Sequence, residues 1–121
     1  MSIFHTEYLK QQALAMDEEL IAIRRKLHAY PELGTKEVKT DAIITEYLTR
    51  WGIDFQFPVA DTGIVAAVQG KMGAKCSWKQ PVVALRADID ALPLQEDKNR
   101  PYCSLHDGVM HACGHDAHTA I

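Results

Sequence analysis

The sequence predicts an α/β fold, and three observations predict it. Apolar residues recur at steps of three and four over residues 6–30, and again from about Thr35 to Trp51, as in amphipathic helices. After Gly52 the pattern changes to alternating and then nearly continuous apolar runs, as in strands. A long polar stretch follows, rich in Asp, His and Cys, and a helical pattern resumes at His115.

Residues 6–30 read as one helix, with Leu9, Ala13, Met16, Leu20, Ile23 and Leu27 on one face. Asp17, Glu18, Glu19, Arg24, Arg25 and Lys26 fall mostly on the solvated side. Pro31 and Gly34 end the helix. A second helix is expected to start at Thr35 as N-cap, with Glu37 in its first turn. Val38, Ile43 or Ile44, Tyr47, Leu48 and Trp51 supply its apolar face, and Gly52 suits the left-handed position that closes helices.

Ile53 to Phe57 alternates as a short half-buried strand does, and TGIVAAVQ at 62–69 reads as a better one. Gly70 to Gly73 make a turn, and residues 71–80 an exposed connection. PVVALRA at 81–87 is a run suited to a strand covered on both faces, with Arg86 the exception. Asp88 to Gly114 reads as loop, and a loop of that length in a compact domain is usually functional or disordered.

The 121 residues leave room for one domain at most. The formal net charge of −3 gives no electrostatic case for nucleic acid or an anionic membrane surface. No segment approaches the roughly 20 apolar residues of a spanning helix. MSIFHTEYLKQQ lacks a basic stretch followed by an apolar run, so a secretory signal is not expected and the default location is the cytoplasm. The three cysteines, Cys76, Cys103 and Cys113, form no CxxC pair, and in a reducing compartment they are free thiols or metal ligands.

Chemistry concentrates in two clusters at expected strand and helix ends, where open α/β sheets gather functional residues. One is RADID at 86–90 and the other HACGHDAH at 111–118. Thiolate and neutral imidazole are the donors a borderline metal prefers. Cys113 and His115 flank Gly114, and side chains two apart on extended backbone point the same way, so both could reach one ion. Asp116 could hold the unused nitrogen of a ligating histidine. Asp88 and Asp90 could orient ligands, bridge ions or form a solvated turn, and spacing does not decide. His118 stays unassigned, His28 and His106 take ordinary structural readings, and His5 is expected to be exposed.

RRKLHAYPELGTKE at 24–37, TGIVAAVQG at 62–70, VALRADIDALPLQE at 83–96 and GVMHACGHDAHTA at 108–120 resemble, in order and spacing, metal-dependent amidohydrolases of the aminoacylase, hippurate hydrolase and indole-acetyl-amino-acid hydrolase family. The resemblance implies the N-terminal portion of a zinc-aminopeptidase-like catalytic domain over residues 1–121, with helices on a mixed central sheet and the small dimerisation domain absent. It implies hydrolysis of the amide bond of N-acyl amino acids and one or two divalent ions, zinc, manganese, nickel or cobalt. Cys113 and His115 match its metal ligands. Asp90 matches an active-site aspartate beside the metals, and Asp88 its neighbour of less secure role. The family's catalytic glutamate and further ligands lie beyond the matched segment, so the chain alone is expected to be inactive. A homodimer is possible for full-length members. The alternatives are a truncated product without its own function and a small metal- or partner-binding module.

Overall fold

The computed structural model describes residues 6–69 and 83–121. The elements are α1 (Thr6–Ala15), α2 (Asp17–Ala29), α3 (Val38–Arg50), β1 (Asp54–Val59), β2 (Gly63–Ala67) and α4 (His115–Ala120). The architecture is α/β, as the sequence predicts. The turn expected at 70–73, and the connection after it, lie outside the described residues.

The single helix expected over 6–30 is broken at Met16. The N–H of Met16 bonds Ala13 O at 3.1 Å, one residue short of the helical step, and Leu20 N–H restarts the ladder on Met16 O at 2.9 Å. Asp17, Glu18 and Glu19 explain the restart, because acidic side chains favour the positive end of a helix. Only α2 reaches the core. Ile23 and Leu27 are buried, whereas α1 buries nothing.

The second helix starts later than expected. Thr35 takes a left-handed turn (φ 65°) and Glu37 stands at the N-cap, its side chain accepting from Thr62 at 2.7 Å rather than capping the helix. Glu32 does the capping instead. Its carboxylate accepts the N–H groups of Lys39 and Thr40 at 3.1 and 2.8 Å and the Thr40 hydroxyl at 3.0 Å. The late start leaves Val38 exposed at the first helical position. The other end follows the sequence closely. Gly52 has φ 65°, its N–H bonds Thr49 O at 3.0 Å, and Ile53 N–H bonds Leu48 O at 2.9 Å, which is a Schellman closure.

β1 and β2 form an antiparallel hairpin, pairing Asp54 with Ala67, Phe55 with Ala66 and Gln56 with Val65. An irregularity follows before Val59 meets Gly63. Ala60 and Asp61 turn the chain at φ 50° and 74°. Residue 63 must be glycine, because a Cβ there would lie 2.5 Å from Val59 O. The third strand expected at 81–87 is not formed over its described part. Residues 83–87 pair with no strand, and Val83 and Leu85 are 84% and 96% exposed. Among the described residues β1 and β2 bond only to each other, and residues 83–87 join no ladder.

Residues 88–114 carry no helix or extended ladder, but backbone bonds pin them. Ala91 N–H reaches Glu32 O at 2.7 Å, Leu92 and Met110 exchange bonds of 2.9 and 3.0 Å, and Leu105 N–H reaches Ala29 O at 2.9 Å. The core gathers Ile23 and Leu27 of α2, Ile43 of α3 and Ala120 of α4, with Tyr47 against it. α4 is thereby packed on α2, and its first turn faces the loop that precedes it.

Candidate metal centre

The bridge between Leu33 and Ala91 lays the segment after Asp88 beside the α2–α3 turn. Gly34 leaves room for Asp90, whose Oδ2 would lie 3.8 Å from a Cβ at that position. Asp90 also lines an open cleft of about 570 Å³, together with Asp88, Glu37, Ile64 and Thr119.

His115, the first residue of α4, meets Asp90. Its Nδ1 lies 2.9 Å from Asp90 Oδ1 and 3.0 Å from the Asp90 carbonyl oxygen. Both partners are acceptors, so Nδ1 carries the proton. In a neutral ring Nε2 then keeps its lone pair. A carboxylate on one imidazole nitrogen and a free lone pair on the other is how metal-ligating histidines are commonly held. The donor chemistry of His115 therefore fits a divalent ion.

Cys113 is an exposed free thiol, open to solvent rather than sealed among aliphatic groups. Among the described residues, no group of three or more His, Cys, Asp and Glu side chains stands close enough to hold a metal. The structure brings Asp90 and His115 together; it does not enclose Cys113 with them in a completed ligand set. Asp88 makes an exposed pair with Arg86 at 2.8 Å. His118 is exposed, and His106 Nδ1 donates to Pro31 O at 2.9 Å, a structural role as expected.

Asp116 does not serve His115, contrary to the expectation from its neighbouring position. Successive side chains in a helix diverge by about 100°. Asp116 points inward, where Arg24 Nε and His28 Nδ1 each approach Oδ2 at 2.7 Å. His28 Nε2 reaches Glu96 Oε1 at 3.0 Å, and Glu96 Oε2 accepts the N–H of Ser104 at 2.6 Å. Burial opposes ionisation of Asp116, but the bond from His28 and the Arg24 guanidinium, with smaller contributions from the His111 and His28 rings, outweigh it and hold the carboxyl below its ordinary range. Glu96 behaves alike: burial raises its pKa, while the His28 bond, the Ser104 N–H and the charges of His28 and Arg100 bring it below the usual value.

His111 is 6% exposed and neither ring nitrogen has a partner among the described residues. Burial depresses its pKa first, Asp116 and Asp90 oppose this, and His28 and His115 add to it, leaving the ring neutral near pH 7. His28, Glu96 and the isolation of His111 escape a reading of the sequence. The one local signal is that Arg24 and His28 stand four apart on one helical face; their acids come from distant segments.

The comparisons decide the family. Residues 84–121, which contain both chemical clusters, match the model of Peptidase family M20/M25/M40. The chain is 47% identical over 105 residues to N-acetyl-L-cysteine deacetylase of Bacillus subtilis, covering 87% of this chain and 24% of that one. The chain belongs to peptidase family M20/M25/M40. It is 44% identical over 102 residues to IAA-amino acid hydrolase ILR1-like 5 of Arabidopsis thaliana, covering 84% of this chain and 22% of that one. Its fold is similar to that of the Bacillus subtilis YXEP protein, described as a dinuclear metal binding peptidase from the M20 family. There the TM-score is 0.77 and the identity 46%, over 88% of this chain and 28% of that one. The chain thus spans about a quarter of the length of these M20 relatives. No helix among its described residues is long and apolar enough to cross a membrane.

Proposed function

We propose that this chain supplies Cys113 and His115 as metal ligands, and Asp90 as the residue that orients His115, to a metal-dependent amidohydrolase of the M20 family. Its substrates are N-acyl amino acids or related conjugates. The observation that carries the reading is the Asp90 carboxylate on His115 Nδ1, which leaves Nε2 free to bind. The named activities of the relatives, deacetylation of N-acetyl-L-cysteine and hydrolysis of IAA–amino acid conjugates, support amide hydrolysis. The ion is zinc, manganese, nickel or cobalt, and the exposed thiol of Cys113 suits a reducing, cytoplasmic setting.

When bound, a divalent ion polarises an amide carbonyl and acidifies water. Asp90 keeps the Nδ1 proton of His115 in place, so the ring presents one nitrogen and one tautomer. Cys113, exposed and adjacent to the left-handed Gly114, is free to present its sulfur as thiolate. The cleft beside Asp90 offers a place for an acyl or amino-acid side chain. A catalytic zinc site normally has three protein ligands. The 121 residues alone are therefore expected to turn over acylated amino acids little or not at all.

The test is cobalt binding to the purified chain, followed by its thiolate absorption band. Cys113→Ala is expected to abolish the band and Cys76→Ala to leave it. Asp90→Ala is expected to weaken affinity by about 10–100-fold. Equal effects of the two cysteine changes, or full affinity in Asp90→Ala, would contradict the assignment.

A further inference from the structure

The junction that carries His115 cannot hold its own geometry. α4 has six residues, fewer than a helix needs to persist by itself, and it begins directly after Gly114 at φ 86°. Its direction is set by what its first-turn side chains grip. On one side His115 grips Asp90. On the other, Asp116 grips Arg24 and His28 of α2.

That inner grip extends well behind the site. The Ser104 N–H donates to Glu96, Glu96 faces His28 Nε2, and His28 Nδ1 faces Asp116. Ser104, Glu96, His28 and Asp116 are all buried. Tyr102 stands edge-on to the His28 ring, with centroids 6.0 Å apart. A buried ionic row of this kind contributes little net stability compared with apolar packing, and its best-attested use is to select one arrangement over others. Here the arrangement selected is the rotation of α4 about its first turn.

We propose that His28, held by Glu96, is a positioning residue for His115. It fixes Asp116, and with it the first turn of α4, so that the His115 ring meets Asp90 and turns Nε2 outward. This rests on the reading of His115 as a metal ligand. The role differs from that of Asp90, which touches the ring itself; His28 acts through the backbone of α4 from the opposite side.

Two readouts on the 121-residue chain test it. The first needs no metal: long-range ¹H–¹⁵N spectra of the imidazoles report which nitrogen of His115 is protonated. The second is the cobalt titration. His28→Ala is expected to convert a single Nδ1–H form of His115 into a mixture and to weaken cobalt binding by about 10–100-fold, the range typical when a ligand's support is removed. Glu96→Ala is expected to move both readouts the same way. Glu96→Gln should restore them, because its amide can accept from Ser104 and donate to His28 while His28 still donates to Asp116. Unchanged His115 signals and cobalt affinity in a folded His28→Ala or Glu96→Ala protein would overturn the proposal. If His28→Ala loses its fold, the contrast between Glu96→Ala and Glu96→Gln decides. Absence of cobalt binding in the unmodified chain would sink the metal reading alone, since the tautomer readout still tests the positioning.

Discussion

Asp41 is expected to make the chain less stable as pH rises from about 4 to about 6, and Asp41→Asn to remove that loss. Asp41 is 2% exposed on α3 and its Oδ1 has no partner among the described residues. Burial first, then the charges of Glu37 and Glu32, raises its pKa from 3.8 to about 6. The sign follows from linkage. Below the unfolded value the group is protonated in both states and costs nothing. Between 3.8 and about 6 the unfolded chain gives up the proton while the folded protein, with burial and two neighbouring acids against the charge, keeps it, so stability falls across that window and levels off above it. At about 1.4 kcal/mol per pH unit, the full loss is about 3 kcal/mol. Asn has no proton to lose. Its buried amide carries a cost of its own, about 1–3 kcal/mol if unpaired, but that cost does not vary with pH. The assay is urea unfolding of both proteins, followed by far-UV circular dichroism at several pH values. The stability difference between variant and parent should grow by about 3 kcal/mol from about pH 4 to about pH 7.5. A difference that stays flat over that interval would refute the reasoning.

Gly63→Ala is expected to lower stability by about 1–3 kcal/mol, because the new methyl would meet Val59 O at 2.5 Å and the hairpin must shift; thermal unfolding checks this. The buried carboxylates of Glu96 and Asp116 predict the opposite pH trend to Asp41. Their folded pKa values lie below the ordinary 4.5 and 3.8, so the stability they contribute is present above those values and lost as pH falls through the folded ones. Glu96→Gln should therefore cost stability mainly near neutral pH, with the deficit relative to the parent shrinking as pH falls, and a deficit that does not vary with pH would count against the His28–Glu96 contact.

What the sequence discloses here is what depends on near neighbours. The closure at Gly52 is legible because a Schellman turn involves six consecutive residues. The break at Met16 is less so: the apolar stripe continues through it, and the three acids that restart the helix also read as a solvated face. The run at 81–87 shows the limit of periodicity. An apolar stretch states that a strand would suit it, not that an edge is available, and among the described residues β1 and β2 pair only with each other. The cap by Glu32, seven and eight residues from the N–H groups it serves, falls between local rules.

The candidate site divides along the same line. Asp90 and His115 were legible as chemistry, although 25 residues separate them, because each sits in a dense polar cluster at an expected element end. His28 meets Glu96 and Asp116 across 68 and 88 residues, and a lone histidine on an apolar helix face carries no sign of that. The assignment of Asp116 went to the wrong partner for a physical reason. Adjacency in sequence suggests that it serves His115, whereas helical divergence of about 100° sends the two side chains to different faces of α4. That divergence also separates the two demands on the turn. His115 and Asp90 remain partly open to solvent, from which an ion must arrive. Asp116 and His28 are closed off from water, where an ionic contact is screened least and a displaced partner is felt most. A substitution on the dry side can therefore alter the wet side without touching it, through six residues of helix too short to absorb the change.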